Sequence, residues 1–515
     1  MSFGQDPAST PEPRPRVVVT DPVAATPSPT PPAVKTATLA ELRAKIASRV
    51  SRPEVRRGTV GFKAVSLRTG KVIFEQNAEK YLMPASNMKN FTVATAIETL
   101  SPDFRFITSV YADAMPSSDG TVAGNVRVYG RGDVSFSTSF YQDDFYKRLD
   151  DLAAAIVNAG VKRIDGDLIG DDTYFTGKAL PYGWEWDDLQ WYYGAEVSAL
   201  PLNDNTLTLR VKPGPKGFAC SVSFEPDIAF YQIKNLCTTT AAGEPRTLSI
   251  TKALERNELV IAGTLPVGNG GFFNNITVSR PAELFVKLLK ERLALKGVVV
   301  KGKTRAIDRN APPHAGNFVE IAKLESPPLS IIAQKTMKPS QNMYTEVLLR
   351  TLGEDLRKKM LTTSPVRADS QELGLQAVKS FMRSIGIADD AFIQHDGSGL
   401  SRHDLVTNEA IVRLYTYMGK ESKYSQAWRD SLTIAGVDGT LKNRFVGTKG
   451  AVNVRGKTGT IDQVSALSGY LTTAGGEEVA FSALVNGVNQ PSVRTSLIDD
   501  VVLYLVNFDG KVDEQ

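Results

Sequence analysis

Apolar residues recur every three or four positions in TLAELRAKIASRV (38–50), and that spacing predicts an amphipathic helix. The next stretch, VGFKAVSLRTGKVIFEQN, alternates on either side of Arg68-Thr69-Gly70, which predicts two strands around a turn. In YLMPASNMKNFTVATAIETL (81–100) Met88, Phe91, Ala94, Ile97 and Leu100 return to one face, and Pro84 stands where a first helical turn tolerates it. From about residue 104 the texture changes to strands and turns, interrupted by a helix over 142–160 and the strand-like RIDGDLIGDDTYF. PAELFVKLLKERLALKG (281–297) predicts another helix, with Pro at its start and Gly at its stop. The last 200 residues are helical and then β. PPLSIIAQKTMKPSQNMYTEVLLRTLG predicts a helix, a break at Pro339 and a second helix, while VNVRGKTGT, QVSALSGYLTT and EEVAFSALVNGV predict three consecutive strands. No internal repeat of convincing period is present.

Length and composition narrow this picture. A chain of 515 residues accommodates roughly two to four domains of about 100–200 residues each. The first 38 residues hold 9 of the 28 prolines and no apolar periodicity, so they read as an extended, disordered tether. The net charge of +4 comes from nearly balanced acids and bases without a Lys/Arg block, which argues against nucleic acid as a partner. No apolar run approaches the roughly 18 residues that span a bilayer, and no signal-peptide h-region is visible. Cys220 and Cys237, 17 apart among predicted strands, read either as two buried thiols or as one disulfide.

Candidate chemistry centres on a serine and a lysine. Ser86 and Lys89 are three apart near a predicted helix start, so hydroxyl and amine share a face. A second S-x-x-K, Ser249 to Lys252, lies in a predicted strand, where the two side chains point to opposite faces. Three histidines, His314, His395 and His403, offer neither metal-ligand spacing nor a G-x-S-x-G elbow, so a histidine triad, a metal and a cofactor are not expected. Arg131-Gly132-Asp133 reads as a polar turn. A lysine can serve as base if its amine is partly neutral, and burial and a nearby second cation both favour that. Lys457, in Arg-Gly-Lys-Thr-Gly-Thr (455–460), supplies the cation on a predicted strand where Gly456 and Gly459 leave room for a substrate backbone. Ser340-Gln341-Asn342, just after the Pro339 break, supplies a hydroxyl that can pass a proton to a leaving amine, and an amide.

S-x-x-K, S-x-N and K-T-G, in that order, resemble the signature of serine penicillin-recognising enzymes, a motif set established for β-lactamases and penicillin-binding proteins. The 250 residues between Lys89 and Ser340 exceed what a compact β-lactamase needs. An insertion at that point resembles the D-alanyl-D-alanine carboxypeptidase/endopeptidase family, the low-molecular-mass class C penicillin-binding proteins. GRGDVSFS (130–137), DGDLIGDDTYF (165–175), GWEWDDLQWYYGAEVSALPLNDN (183–205), DGSGLSR (396–402) and DGTLKNRF (438–445) agree with that resemblance, which covers roughly residues 40–510. The middle motif is S-Q-N rather than S-D-N, which suits a penicillin-binding protein better than a class A β-lactamase.

The resemblance implies a multi-domain α/β protein with a β-lactamase/transpeptidase-like domain, an antiparallel sheet flanked by helices, and a β-rich insert between the first two motifs. The expected division is a tether (1–38), a catalytic domain (39–105 and 309–515), a β-rich inserted domain (106–132 and 215–308) and a second insert nested in it (133–214). The resemblance casts Ser86 as the acylated nucleophile, Lys89 as its base, Ser340 and Asn342 as proton relay and positioning amide, and Lys457 as electrostatic partner of the substrate carboxylate. Thr458 would bind that carboxylate, and the backbone N–H groups of Ser86 and Thr460, beside Gly459, would form the oxyanion hole. Trp184, Asp187 and Tyr192, with Arg402, would line the pocket for the stem-peptide side chain; the alternative is ordinary packing for the two aromatics and solvation for Asp187 or Asp188. The implied partners are peptidoglycan stem peptides and β-lactams, at an extracytoplasmic site with peripheral membrane or cell-wall association. In such a setting a Cys220–Cys237 disulfide is expected. The implied activity is serine D,D-carboxypeptidase/endopeptidase; a β-lactamase or esterase on the same scaffold, and a non-hydrolytic cell-wall scaffold or β-lactam sensor, are the alternatives.

Overall fold

The structure, a computed structural model, describes residues 38–311, 318–360 and 367–512. The tether up to residue 37 and His314 lie outside the described residues.

A capping box opens the first helix, Leu39–Val50: the Glu41 N–H donates to Thr38 Oγ1 (3.2 Å) and the Thr38 N–H to Glu41 Oε2 (3.0 Å). The central sheet is antiparallel throughout, in the order Thr433–Ile434, Arg455–Ile461, Val464–Thr472, Glu478–Asn486, Thr59–Ser66, Val72–Gln76. The expected Arg68–Gly70 turn joins its last two strands, with Gly70 at φ +76°. Alternation along these strands feeds two cores. Phe62, Leu467 and Phe481 pack beneath the helices Leu39–Val50 and Pro491–Val506. Ala466 and Leu484 face Phe91, Tyr344 and Tyr415 of the helices Lys89–Leu100, Asn342–Met360 and Asn408–Lys420.

Between the helices Lys89–Leu100 and Leu329–Met337 the chain leaves this body and returns. The two crossing strands are tied at the neck: Ser326 N–H donates to Phe106 O and Phe106 N–H to Ser326 Oγ, both at 2.9 Å. The excursion builds its own core, including Val128, Leu152 and Phe285, around a five-stranded sheet in the order Thr304–Ile307, Leu168–Asp171, Val126–Tyr129, Ile107–Ala112, Val319–Glu325. The helices Lys147–Asn158 and Pro281–Leu295 cover it. This sheet takes strands from all three of the segments drawn from the sequence between 106 and 308, and from beyond residue 309, because pairing across more than 200 residues is not encoded in any single strand. Three three-stranded sheets complete the insert, and the Cys220–Cys237 disulfide (Cα–Cα 5.4 Å) links the approach to Ser221–Glu225 with Gln232–Thr240. Val134, Phe175, Val197 and Ala199 of the insert join the core of the catalytic helices, which brings the 172–205 segment against the body.

Candidate active site

Ser86 lies in a 3₁₀ turn, Ala85–Met88, that leads into the helix Lys89–Leu100, so it precedes the α-helix rather than opening it. Ala85 sits at φ +47°, a left-handed conformation that non-glycine residues seldom adopt away from functional turns. Two glycines allow the surroundings to press on this turn. A Cβ on Gly399 (φ +80°) would stand 1.8 Å from Ala85 O, and one on Gly459 2.6 Å from Pro84 O. A Cβ on Gly456 would likewise stand 2.3 Å from Ser468 O of the neighbouring strand, so both glycines of this strand admit close packing within the protein itself. Asn87 Nδ2 donates to Lys457 O (3.1 Å), which pins the turn to the strand Arg455–Ile461.

Lys89 is fully buried. Its Nζ lies 3.0 Å from Ser86 Oγ, 2.6 Å from Asn342 Oδ1 and 2.8 Å from Ser398 O. Burial drives its pKa down to about 7 against the opposing pull of Asp396, Glu346 and Asp404. As the neutral amine it has two hydrogens for Asn342 and Ser398, and its lone pair is left for the Ser86 hydroxyl. The depression of Lys89 thus comes from burial, whereas the cation pair acts mainly on Lys457, which burial and Lys89 push well below the usual lysine range.

A second group stands alongside. Ser340, at φ +67° between the helices Leu329–Met337 and Asn342–Met360, accepts from Lys457 Nζ (2.8 Å). Lys457 also donates to Thr458 O (2.9 Å), and Thr458 Oγ1 to Thr440 Oγ1 (2.6 Å). Thr460 is exposed towards the end of the same strand, opposite Ser465.

The insert reaches this centre at two points. Asn342 Nδ2 donates to Tyr193 O (2.9 Å), and Trp184 Nε1 to Asp396 Oδ2 (2.8 Å). Tyr192 packs edge-on against Tyr193 (5.3 Å), and burial raises its pKa. Arg402 bridges the insert and the sheet, with Nε 3.4 Å from Glu185 and Nη2 3.9 Å from Asp462. Asp187 is placed apart from these three, on the wall of a cavity of about 240 Å³ shared with Trp186, Glu196 and Lys252. That lysine belongs to the second S-x-x-K, and its Nζ donates to Ser279 Oγ (2.8 Å), away from Ser249. Sequence reasoning assigned nothing to Glu346, Asp396, Ser398 or Asp404. The available signals were the DGSGLSR stretch and the one-turn spacing of Glu346 from Asn342.

A match to the D-Ala-D-Ala carboxypeptidase 3 (S13) family runs over residues 42–507. The chain belongs to this family. It is accordingly a serine-type D-Ala-D-Ala carboxypeptidase, a penicillin-binding-protein-type hydrolase of peptidoglycan chemistry. It is 32% identical over 485 residues to the D-alanyl-D-alanine carboxypeptidase of Actinomadura sp. (strain R39), covering 92% of this chain and 86% of that one. It is 26% identical over 431 residues to the D-alanyl-D-alanine carboxypeptidase DacB of Haemophilus influenzae, covering 83% and 85%. Its fold matches the crystal structure of penicillin binding protein 4 (dacB) from Haemophilus influenzae with a TM-score of 0.75 at 24% identity, over 90% of this chain and 99% of that one. Among the described residues of this S13 carboxypeptidase, no helix is long and apolar enough to cross a membrane.

Proposed function

We propose that this carboxypeptidase cleaves D-Ala-D-Ala termini and D-amino-acid cross-bridges of peptidoglycan stem peptides through an acyl-enzyme on Ser86, and that penicillins acylate the same hydroxyl. The observation that carries this reading is the fully buried Lys89 amine, held near pKa 7 and 3.0 Å from Ser86 Oγ. The neutral amine takes the Ser86 proton as Oγ attacks the carbonyl carbon of the penultimate residue. The backbone N–H groups of Ser86 and Thr460 hold the oxyanion. Ser340, hydrogen-bonded to Lys457, passes its proton to the departing D-Ala amine as the C–N bond breaks and regains one from the Lys89 ammonium, which leaves Lys89 neutral again; Lys457 and Thr458 attract the terminal carboxylate. Water then attacks the ester with Lys89 again as base, which restores Ser86.

The binding of a β-lactam by the Haemophilus influenzae structure supports the penicillin reading. Trp184, Tyr192 and Arg402, with Asp187, are our candidates for the pocket of the stem-peptide side chain, a reading supported by the contacts that bring Trp184 to Asp396 and Arg402 to Asp462. We take 39–105 and 326–512 as the catalytic body and 106–325 as the insert, a division supported by the insert's own core. An extracytoplasmic site of action follows from the peptidoglycan substrate. Incubation with a labelled penicillin and peptide mapping should place one long-lived label on Ser86, and the unlabelled enzyme should release D-Ala from an acyl-D-Ala-D-Ala peptide. A label elsewhere, or rapid turnover of the adduct with the peptide untouched, would overturn this reading.

A further inference from the structure

Behind Lys89 lie three buried carboxylates that the steps above do not use: Glu346 on the helix Asn342–Met360, and Asp396 and Asp404 on the loop after Phe392–Ile393. Asp396 is engaged on both oxygens, by Gly399 N–H (2.6 Å), Ser401 N–H (2.8 Å) and the Trp184 indole (2.8 Å). Asp404 Oδ1 accepts from His395 N–H (2.6 Å), and burial beside Asp396 keeps its carboxyl protonated well above the usual range.

Glu346 reaches the amine through the loop. Its Oε1 accepts from Gly397 N–H (2.9 Å) and Ser398 N–H (2.8 Å), while its buried Oε2, like Oδ2 of Asp404, has no hydrogen-bond partner among the described residues. The carbonyl of that same Ser398 is the one 2.8 Å from Lys89 Nζ. Glu346 also stands one turn beyond Asn342, the other acceptor of the amine. One helix face therefore fixes both acceptors of Lys89 apart from Ser86, Asn342 directly and Ser398 through Glu346.

We propose that Glu346 is a positioning residue for acylation: its carboxylate fixes the Ser398 carbonyl on the Lys89 amine and supplies the negative charge against which that amine takes up the Ser86 proton. This rests on the reading of Lys89 as the base. Holding the loop needs only an oxygen acceptor, which an amide would provide. The charge is costly to bury and requires a cation close by. The titratable and charged groups facing Glu346 are Arg350 on its own helix, Lys89 on the helix Lys89–Leu100, and Asp396 and the protonated Asp404 on the loop; Lys457 faces Lys89 from the sheet. Burial and Asp396 raise Glu346 to about 7, the range in which Lys89 loses its proton, and the Glu346 charge in turn raises Lys89, so the two are expected to titrate as a pair.

Glu346→Gln separates the two contributions, because the amide oxygen can still accept from Gly397 and Ser398 while the charge is gone. In the folded variant, checked by circular dichroism, the acid limb of the second-order rate of acylation by a penicillin should move to lower pH by on the order of one unit. Glu346→Ala, which also frees the loop, should lower the rate at every pH. An acid limb of Glu346→Gln that coincides with wild type would overturn the proposal. A second measurement needs only the wild-type protein: with ¹³C-labelled lysine, the Lys89 ε-carbon, assigned by its loss in Lys89→Arg, should titrate in two steps. A single step would refute the pairing with Glu346. Should penicillin fail to acylate any form, the proposed function fails while this titration still decides the role of Glu346.

Discussion

Lys89 has three acceptors for its three ammonium hydrogens, so it is geometrically content as a cation, and burial alone makes it a base. The folded-state pKa near 7 lies below that of a free lysine, so the neutral form gains population as pH rises through 7. The second-order acylation rate of the free enzyme should therefore climb with an acid limb centred near pH 7, and a limb near pH 10 would contradict a buried, depressed lysine. Lys89→Arg, which cannot lose its proton at any working pH, should reduce acylation by about 10²-fold or more while the circular dichroism stays near wild type. Lys457→Arg keeps a cation beside Ser340 and should lose less than Lys89→Arg, whereas Lys457→Ala should lose more than Lys457→Arg. The pair Ser86 and Lys89 was legible because three-residue spacing is local. The carboxylates behind it were not, since Glu346, Asp396 and Asp404 arrive from more than 250 residues away and only the folded chain adds their charges to the environment of Lys89.

At the level of elements, the long periodic segments were legible and the sharp turns were not. The helices Leu39–Val50 and Pro281–Leu295 and the hairpin strands Val464–Thr472 and Glu478–Asn486 follow their apolar spacing to within a few residues. The predicted helix over 142–160 shrinks to Lys147–Asn158, because Asp144 accepts from the N–H groups of Tyr146 and Lys147 and fixes a turn before it. Residues 81–88 show apolar periodicity that runs into the helix, yet Ala85 turns left-handed. That conformation is imposed by what packs on it, the loop at Gly399 and the strand at Gly459, and neither is visible locally. Gly399 is therefore a sensitive test of the turn. Gly399→Ala meets both a positive φ and a carbonyl 1.8 Å from its new methyl group, so loop and turn must separate. The expected result is a fall in acylation of at least about tenfold, from misplacement of Ser86 and Lys89, together with a lowered melting temperature. Wild-type acylation by this variant would mean that the contact does not position Ser86.

At the scale of the whole molecule, the distance between motifs pointed to an insert, but not to the strand Val319–Glu325 that completes its sheet nor to the manner in which it meets the catalytic body. The 172–205 segment lends side chains to the body's core, and its loop sends Trp184 to Asp396 and Tyr193 O to Asn342, the residues that border Lys89. The resemblance places Trp184 beside the stem-peptide side chain, and its indole N–H donates to a buried carboxylate behind the base. These two roles predict different behaviour for Trp184→Phe, which keeps an aromatic surface and removes only the donor. Asp396 retains its bonds from Ser401 and Gly399, so the fold should survive, at a cost of about 1.5–3 kcal/mol for the lost hydrogen bond to a charged group. Because the loop from Asp396 carries the Ser398 carbonyl on Lys89, the loss should reach the base. Acylation by a small penicillin and hydrolysis of a stem peptide with a long side chain should then fall by similar factors. A defect confined to the long-side-chain peptide, with penicillin acylation at the wild-type rate, would assign Trp184 to the substrate pocket alone and remove the link from the insert to the catalytic base.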